Sequence, residues 1–407
     1  MTQRQYGIVV YGASGFTGRL VAEYLNTAYG DAPELSWAMA GRSVSKLEAV
    51  REEMGISGNV DILAADASDP ASLKAMADSA SVIITTVGPY QLYGEPLLAA
   101  CVEAGTDYVD LCGEPAWMAQ MIVKYQAAAE KSGARIVFSC GFDSVPFDLG
   151  VWFLQREAKD RLGHTLPRVK GRVRKMKGTF SGGTAASLTA TIEAVSKDKS
   201  LLKLLTSPFS LTPGFKGPKQ PHSATAEYDE TAQSWTAPFI MAPINTKNVH
   251  RTNALAGHAY GADFVYDERM MTGDGPKGEK RAKAAARQEK IQNIMLAMAP
   301  TRWLLKTFML PKPGEGPDKQ ARETGFYDVL FIGEGQNGEV LRASVKGDKD
   351  PGYGSTSKMI SECALCLLLD VGGDKTGGGI WTPGAALGDV LIGRLQAHAG
   401  LTFAVED

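Results

Sequence analysis

Three glycines fall within seven positions in Gly12-Ala13-Ser14-Gly15-Phe16-Thr17-Gly18, directly after the small apolar run Tyr6–Tyr11. Glycine has no Cβ, so the chain can turn sharply there and a ligand can approach its backbone N–H groups. Where such a turn opens a helix, the free N–H groups and the helix dipole favour a phosphate. Gly12 would permit the turn, Gly15 would clear the path of a pyrophosphate, and Gly18 would let the helix sit close to a sheet. The spacing G-x-x-G-x-x-G is a variant of the dinucleotide fingerprint that is frequent in NADP-dependent reductases. All seven residues, Gly12, Ala13, Ser14, Gly15, Phe16, Thr17 and Gly18, are therefore expected cofactor contacts; a mere tight turn would carry the same glycines, and the neighbouring elements decide between the two.

The second apolar run ends in Met39-Ala40-Gly41-Arg42-Ser43, with no acid between Leu35 and Leu47. An NAD site usually places Asp or Glu there for the ribose 2′-hydroxyl, whereas a 2′-phosphate calls for a cation. Arg42, with Ser43 beside it and Lys46 a helical turn later, reads as NADP. The bland alternative is a solvated Arg42 with Ser43 as a plain N-cap. Asp66 ends the third run and either meets adenine or caps a helix. Val87-Gly88-Pro89 closes the fourth, where the chain must bend around a cofactor. Tyr90 and Tyr93 follow; a phenol there would donate a proton or flank a nicotinamide, and plain packing would look the same.

Other chemistries lack their residues. No tyrosine has a lysine four positions later, so the Tyr-x-x-x-Lys device of short-chain reductases is absent. The five histidines form no H-x-x-x-H pair, and Cys363-x-x-Cys366 has no second half, so no metal site is expected. That cysteine pair fits one apolar helical face.

These motifs need a scaffold. Tyr6–Tyr11, Leu35–Ala40, Val60–Ala65, Val82–Val87, Tyr108–Leu111 and Arg135–Ser139 read as strands, with amphipathic helical patterns between them. Their continuous hydrophobicity suits a parallel sheet covered on both faces, a Rossmann-type doubly wound α/β domain. In such a sheet ligands bind beyond the carboxyl ends of the strands, where the motifs above fall. From about residue 165 the pattern changes. Arg168, Lys170, Arg172 and Arg174 alternate along one strand face, expected to be solvated or, less simply, to bind an anion. Phe326–Gly333 and Glu339–Lys346 flank Asn337-Gly338, a hairpin signal. A largely antiparallel sheet follows, with Ser181-Gly182-Gly183-Thr184 as a polar lip. Residues 203–250 lack sustained periodicity and read as a long loop or lid. Lys277–Lys290 reads as a basic helix leading into an apolar stretch, Met295 to Leu310, that either packs internally or receives lipid or an acyl chain.

The segments GASGFTG (12–18), AGRS (40–43), VGPYQLYGEPLLAAC (87–101), YVDLCGE (108–114), GFDSVPFDLG (141–150), SGGTAASL (181–188), DPGYGSTSKM (350–359) and WTPGAALGD (381–389) resemble the saccharopine dehydrogenase-like oxidoreductases, and most closely their trans-acting enoyl reductase branch. The resemblance implies an NADP-binding Rossmann domain (1–145), an inserted α+β substrate or interaction domain (146–350), and C-terminal helices returning to the first domain (351–407). It places the turn at Phe142, Asp143 and Ser144 near the nicotinamide, with Cys112 and Phe142 as further cofactor contacts. Asp143 and Ser144 are read as substrate contacts, or as caps of the helix that Pro146 begins.

A formal net charge of -2 gives no cause to expect nucleic acid, and the N-terminus MTQRQYG lacks the features of a secretory signal, so a reducing, cytoplasmic setting is expected. The reading is an NADP-dependent oxidoreductase acting on a small-molecule or acyl substrate. Tyr90, Tyr93, Asp143 and Ser144 are its expected catalytic groups; peripheral lipid or membrane contact and a homodimer are admitted as partners. An imine reductase of the saccharopine type is the alternative enzyme, and a lipid-surface protein holding NADP without turnover the alternative class.

Overall fold

The computed structural model describes residues 4–30, 32, 35–178, 182–298 and 316–406. Its first half follows the predicted alternation. Strands β1 (Tyr6–Tyr11), β2 (Trp37–Gly41), β3 (Asp61–Ala64), β4 (Ala80–Thr85), β5 (Asp107–Asp110) and β6 (Arg135–Val137) lie parallel, linked by α1 (Phe16–Tyr29), α2 (Val44–Glu53), α3 (Pro70–Ser79), α4 (Tyr90–Ala104) and α5 (Pro115–Ser132). Ile8, Val9 and Val10 are all inaccessible, as a strand covered on both faces requires. Local chemistry starts the helices: Ser43 caps α2, and Asp69 caps α3 just before Pro70. Strand order reverses at β1, whose neighbours are β2 and β4, so a crevice opens beyond the carboxyl ends of β1 and β4.

Helix α6 (Val145–Leu162) leads to the second sheet. Its elements are β7 (Arg168–Lys177), α7 (Gly182–Lys197), α8 (Leu201–Thr206), β8 (Glu227–Asp229), β9 (Ser234–Pro238), α9 (Ala242–Leu255), β10 (Val265–Gly273), α10 (Gly275–Ala297), α11 (Lys319–Glu323), β11 (Phe326–Glu334) and β12 (Val340–Gly347). The pairing is antiparallel except between β7 and β10, and β11 and β12 form the hairpin expected at Asn337-Gly338, with Gly338 at φ +86°.

Three expectations are corrected. Residues 203–250 are not one long loop, because β8, β9 and most of α9 lie there; α9 was illegible because its buried face is polar, including Asn245, Asn248 and Asn253. The cationic face of β7 is neither solvated nor an anion site. Arg172 bonds Asp229 (2.7 Å) and Asp267 (3.0 Å), Lys170 bonds Glu334 (2.6 Å), and Arg174 bonds Asp328 (2.6 Å) and Glu406 (2.7 Å). Burial raises the pKa of Asp229 and Asp267, but Arg172, joined by the Ala232 N–H and Lys170 at Asp229 and by Arg168 at Asp267, more than reverses this and keeps both below the usual carboxylate range. The segment 351–407 returns with helices, α12 (Gly354–Leu365) and α13 (Pro383–Arg394), but also with β13 (Gly379–Trp381) beside β6 and β14 (Leu401–Glu406) beside β12. Cys363 and Cys366 are buried free thiols at the end of α12 and in the turn after it.

Candidate active site

A cleft of about 1280 Å³ runs from the β1–α1 turn to the helices of the second half. At its first end Gly12 takes φ +89°, where an added Cβ would lie 2.8 Å from both Thr86 Oγ1 and Val87 Cγ2. Helix α1 is preceded by Gly15 with no side-chain cap hydrogen bond, and its own first turn carries no acid. The cradle fits a dinucleotide pyrophosphate. Gly12, Ser14, Gly15, Phe16 and Thr17 line the cleft, while Ala13 and Gly18 are buried behind them. A Cβ on Gly18 would stand 2.1 Å from Gly12 O, so the close approach that glycine permits here is of α1 to the preceding turn.

Arg42 is exposed and lines the cleft, close enough to Tyr11 and Asp66 to influence their ionisation. Ser43 and Lys46 lie outside the lining: Ser43 caps α2 by accepting the Lys46 N–H at 3.4 Å, and the Lys46 side chain is exposed. Asp66 lines the cleft but caps no helix. Its Oδ1 accepts the Ser68 N–H and hydroxyl, both at 2.8 Å, which lowers its pKa. Arg42→Asp is expected to weaken NADPH by about 10- to 100-fold and NADH little, since attraction to a 2′-phosphate becomes repulsion. Equal losses in paired titrations would remove Arg42 from the site.

Beyond β4, Val87 and Gly88 line the cleft and Pro89 precedes α4. Tyr90 lines it with its ring, but the hydroxyl is engaged: it donates to Thr85 O (3.2 Å) and accepts the Leu111 N–H (3.0 Å). Tyr93, one turn on, is exposed to the cleft. Cys112 is buried with its side chain outside the lining, although its neighbours Leu111 and Gly113 belong to it. The Cys112 N–H instead donates to Asp110, a buried carboxyl that desolvation pushes up to about 7.

Asp143 and Phe142 line the cleft. The Asp143 carboxyl bonds no other side chain among the described residues, and burial pushes its pKa up to about 6. An added Cβ on Gly113 would lie 3.2 Å from Asp143 Oδ2, so Gly113 gives the carboxyl room. Ser144 is fully buried outside the lining, its Oγ accepting from Asn248 at 2.8 Å.

Sequence reasoning missed Glu114, whose carboxylate accepts the Tyr90 N–H (2.8 Å), the Gln91 N–H (2.9 Å) and the Ser187 hydroxyl (2.7 Å). It thereby caps α4 and ties α7 across the cleft. It also missed the apolar wall contributed by Leu188 and Ile192 of α7, Leu205 of α8, Ile240, Met241 and Ile244. The i, i+4 spacing of Leu188 and Ile192 was the available signal. Among the described residues Arg42 is the only cation lining the cleft, and no cluster of three or more metal-ligating side chains occurs. No described helix is long and apolar enough to cross a membrane. Met295, Leu296 and Met298 close and follow α10; Trp303, Phe308 and the rest of the apolar stretch lie outside the described residues, as does Ser181.

A sequence model described as the saccharopine dehydrogenase NADP binding domain matches residues 8–137. Together with the parallel sheet and the glycine cradle, this defines an NADP-dependent oxidoreductase. Yeast (Saccharomyces cerevisiae) saccharopine dehydrogenase (L-Glu forming) shares the fold, with a TM-score of 0.55 at 11% identity, over 99% of this chain and 100% of that one. A Mycobacterium tuberculosis protein provisionally named a trans-acting enoyl reductase is 43% identical, over 99% of this chain and 98% of its own. The trans-acting enoyl reductase of Mycobacterium ulcerans is 37% identical, over 97% and 96%. The chain belongs to this family, the trans-acting enoyl reductases.

Proposed function

We propose that the protein reduces a carbon–carbon double bond in an unsaturated acyl or polyketide-like substrate. The observation that carries this reading is the make-up of one cleft lining, which combines the phosphate cradle of Gly12 to Thr17, the apolar side chains Leu188, Ile192, Leu205, Ile240 and Ile244, and the Asp143 carboxyl. NADPH, held by the 12–18 turn and Arg42, supplies the hydride when bound. The protein must then deliver a proton where negative charge develops. Asp143 suits that task because burial holds its proton close to neutrality, near the ideal for a general acid. Of the other expected catalytic groups Tyr93 also faces the cleft, whereas the hydroxyls of Tyr90 and Ser144 are engaged by Thr85 O and by the Asn248 side chain.

The saccharopine-type alternative needs several cations converging on substrate carboxylates. Among the described residues the cleft lining offers a single cation, Arg42. Following NADPH oxidation against enoyl thioesters, enones and imines tests the reading. Turnover is expected with the unsaturated thioesters or enones; turnover confined to an amino acid and keto acid pair, or cofactor binding without turnover, would overturn it. The wall adds a prediction about chain length. Ile192→Trp should raise KM for long-chain substrates about tenfold over short ones, the equivalent of two methylenes no longer buried at about 0.8 kcal/mol each. NADPH affinity should not move, and equal effects on long and short chains would detach the wall from the substrate.

A further inference from the structure

The turn that carries Asp143 is held from two sides, by Thr356, which lines the cleft, and by Asn248, which lies outside its lining. On one side the Phe142 N–H donates to Thr356 Oγ1 at 3.0 Å, and the Thr356 hydroxyl donates to Pro351 O at 2.7 Å. The loop before Thr356 is itself fixed by Asp350, which accepts the N–H groups of Gly352, Tyr353 and Gly354 at 2.9, 3.1 and 2.8 Å. This is the DPGYGSTSKM segment, and holding the turn gives it a task. On the other side, Asn248 of α9 donates its Nδ2–H to Ser144 Oγ at 2.8 Å. The Ser144 N–H donates to Ser139 O at 2.9 Å.

Asp143 stands between these two anchors with no side-chain hydrogen bond of its own among the described residues, so the direction of its carboxyl depends on the turn. Asn248 is fully buried, and its Oδ1 has no partner among the described residues. A leucine would fill similar volume without leaving a buried acceptor unpaired, a state that generally costs about 1–3 kcal/mol. An amide retained at such a cost is explained if its one hydrogen bond fixes something that matters.

We propose that Asn248 is a positioning residue for Asp143, acting through the Ser144 hydroxyl, with Thr356 as the opposing anchor. The inference rests on the reading of Asp143 as the acid. Its test is a double-mutant cycle on the full chain, using Asn248→Leu, Ser144→Ala and the pair, with NADPH and an unsaturated thioester that the wild type turns over. A displacement of the acid by about 1 Å can cost on the order of 100-fold in rate. Each single variant is therefore expected to lower kcat by about 10- to 100-fold, with KM and NADPH affinity within about twofold of wild type. The double variant should be no slower than the slower single, because both remove the same contact. Additive losses, or wild-type kcat in either folded single variant, would overturn the proposal. A purely structural role would lower Tm and leave kcat per folded molecule unchanged. Should Asn248→Leu fail to fold, Ser144→Ala removes one oxygen and decides the matter: a lowered kcat supports the clamp and an unchanged one overturns it. Activity retained in Asp143→Asn would instead defeat the acid assignment, so the two failures are distinguishable.

Discussion

Asp143→Asn is expected to lower kcat for double-bond reduction by about 10²- to 10⁴-fold, the usual worth of a positioned acid, while NADPH binds as before. The pH profile supplies the sign. Desolvation raises the Asp143 pKa to about 6, so the wild type should be fastest below that value and slow as pH rises through it and the proton is lost. The variant should lack this limb. Because burial disfavours the ionised form in the folded state, the carboxyl stabilises the fold only while protonated, and that contribution is lost as pH rises through about 6. Asparagine should therefore not lower Tm at pH 8. A variant with full activity and an unchanged profile would shift the acid's role to Tyr93.

Gly15→Val is expected to raise the NADPH dissociation constant by on the order of 100-fold and to leave the fold in place. Gly15 sits at φ -78° and ψ 167°, an extended conformation that valine adopts readily, and among the described residues beyond its chain neighbours an added Cβ would meet Gly12 O at 3.2 Å. The protein can accommodate that contact with a small shift. A pyrophosphate cannot, because the new methyl groups occupy its approach to the N–H groups of α1. Losing about 3 kcal/mol of charge-assisted hydrogen bonding corresponds to the stated factor. Cofactor titration with a parallel melting curve checks both halves, and unchanged affinity would remove the turn from the site.

What was legible in the sequence depended on local signals. The glycine spacing, the Arg42 cation and the six continuous apolar runs each act within a few residues, and the corresponding turn, rim charge and parallel strands are present. Contacts set by distant partners were not legible. The phenol of Tyr90 is engaged by Thr85 and Leu111, Cys112 turns into the core, and Glu114 is tied to Ser187 across the cleft; nothing in the residues beside them announces these partners. The β7 cations looked solvated because period two gives their side and not the carboxylates of Asp229, Asp267, Asp328, Glu334 and Glu406 that meet them. Helix α9 was hidden by the same limitation, since its buried face holds Asn245, Asn248 and Asn253.

The two strands contributed late in the chain, β13 and β14, each form the outer edge of a different sheet. Both β6 and β12 therefore keep an unpaired hydrogen-bonding edge until residues 379–406 have been made, however well the earlier elements have formed. On the ribosome this postpones completion of both halves to the same late moment. A chain truncated before Gly379 should present the edges of β6 and β12, whereas the chain with both strands exposes the short β13 and β14 instead, so the truncated form should aggregate more readily.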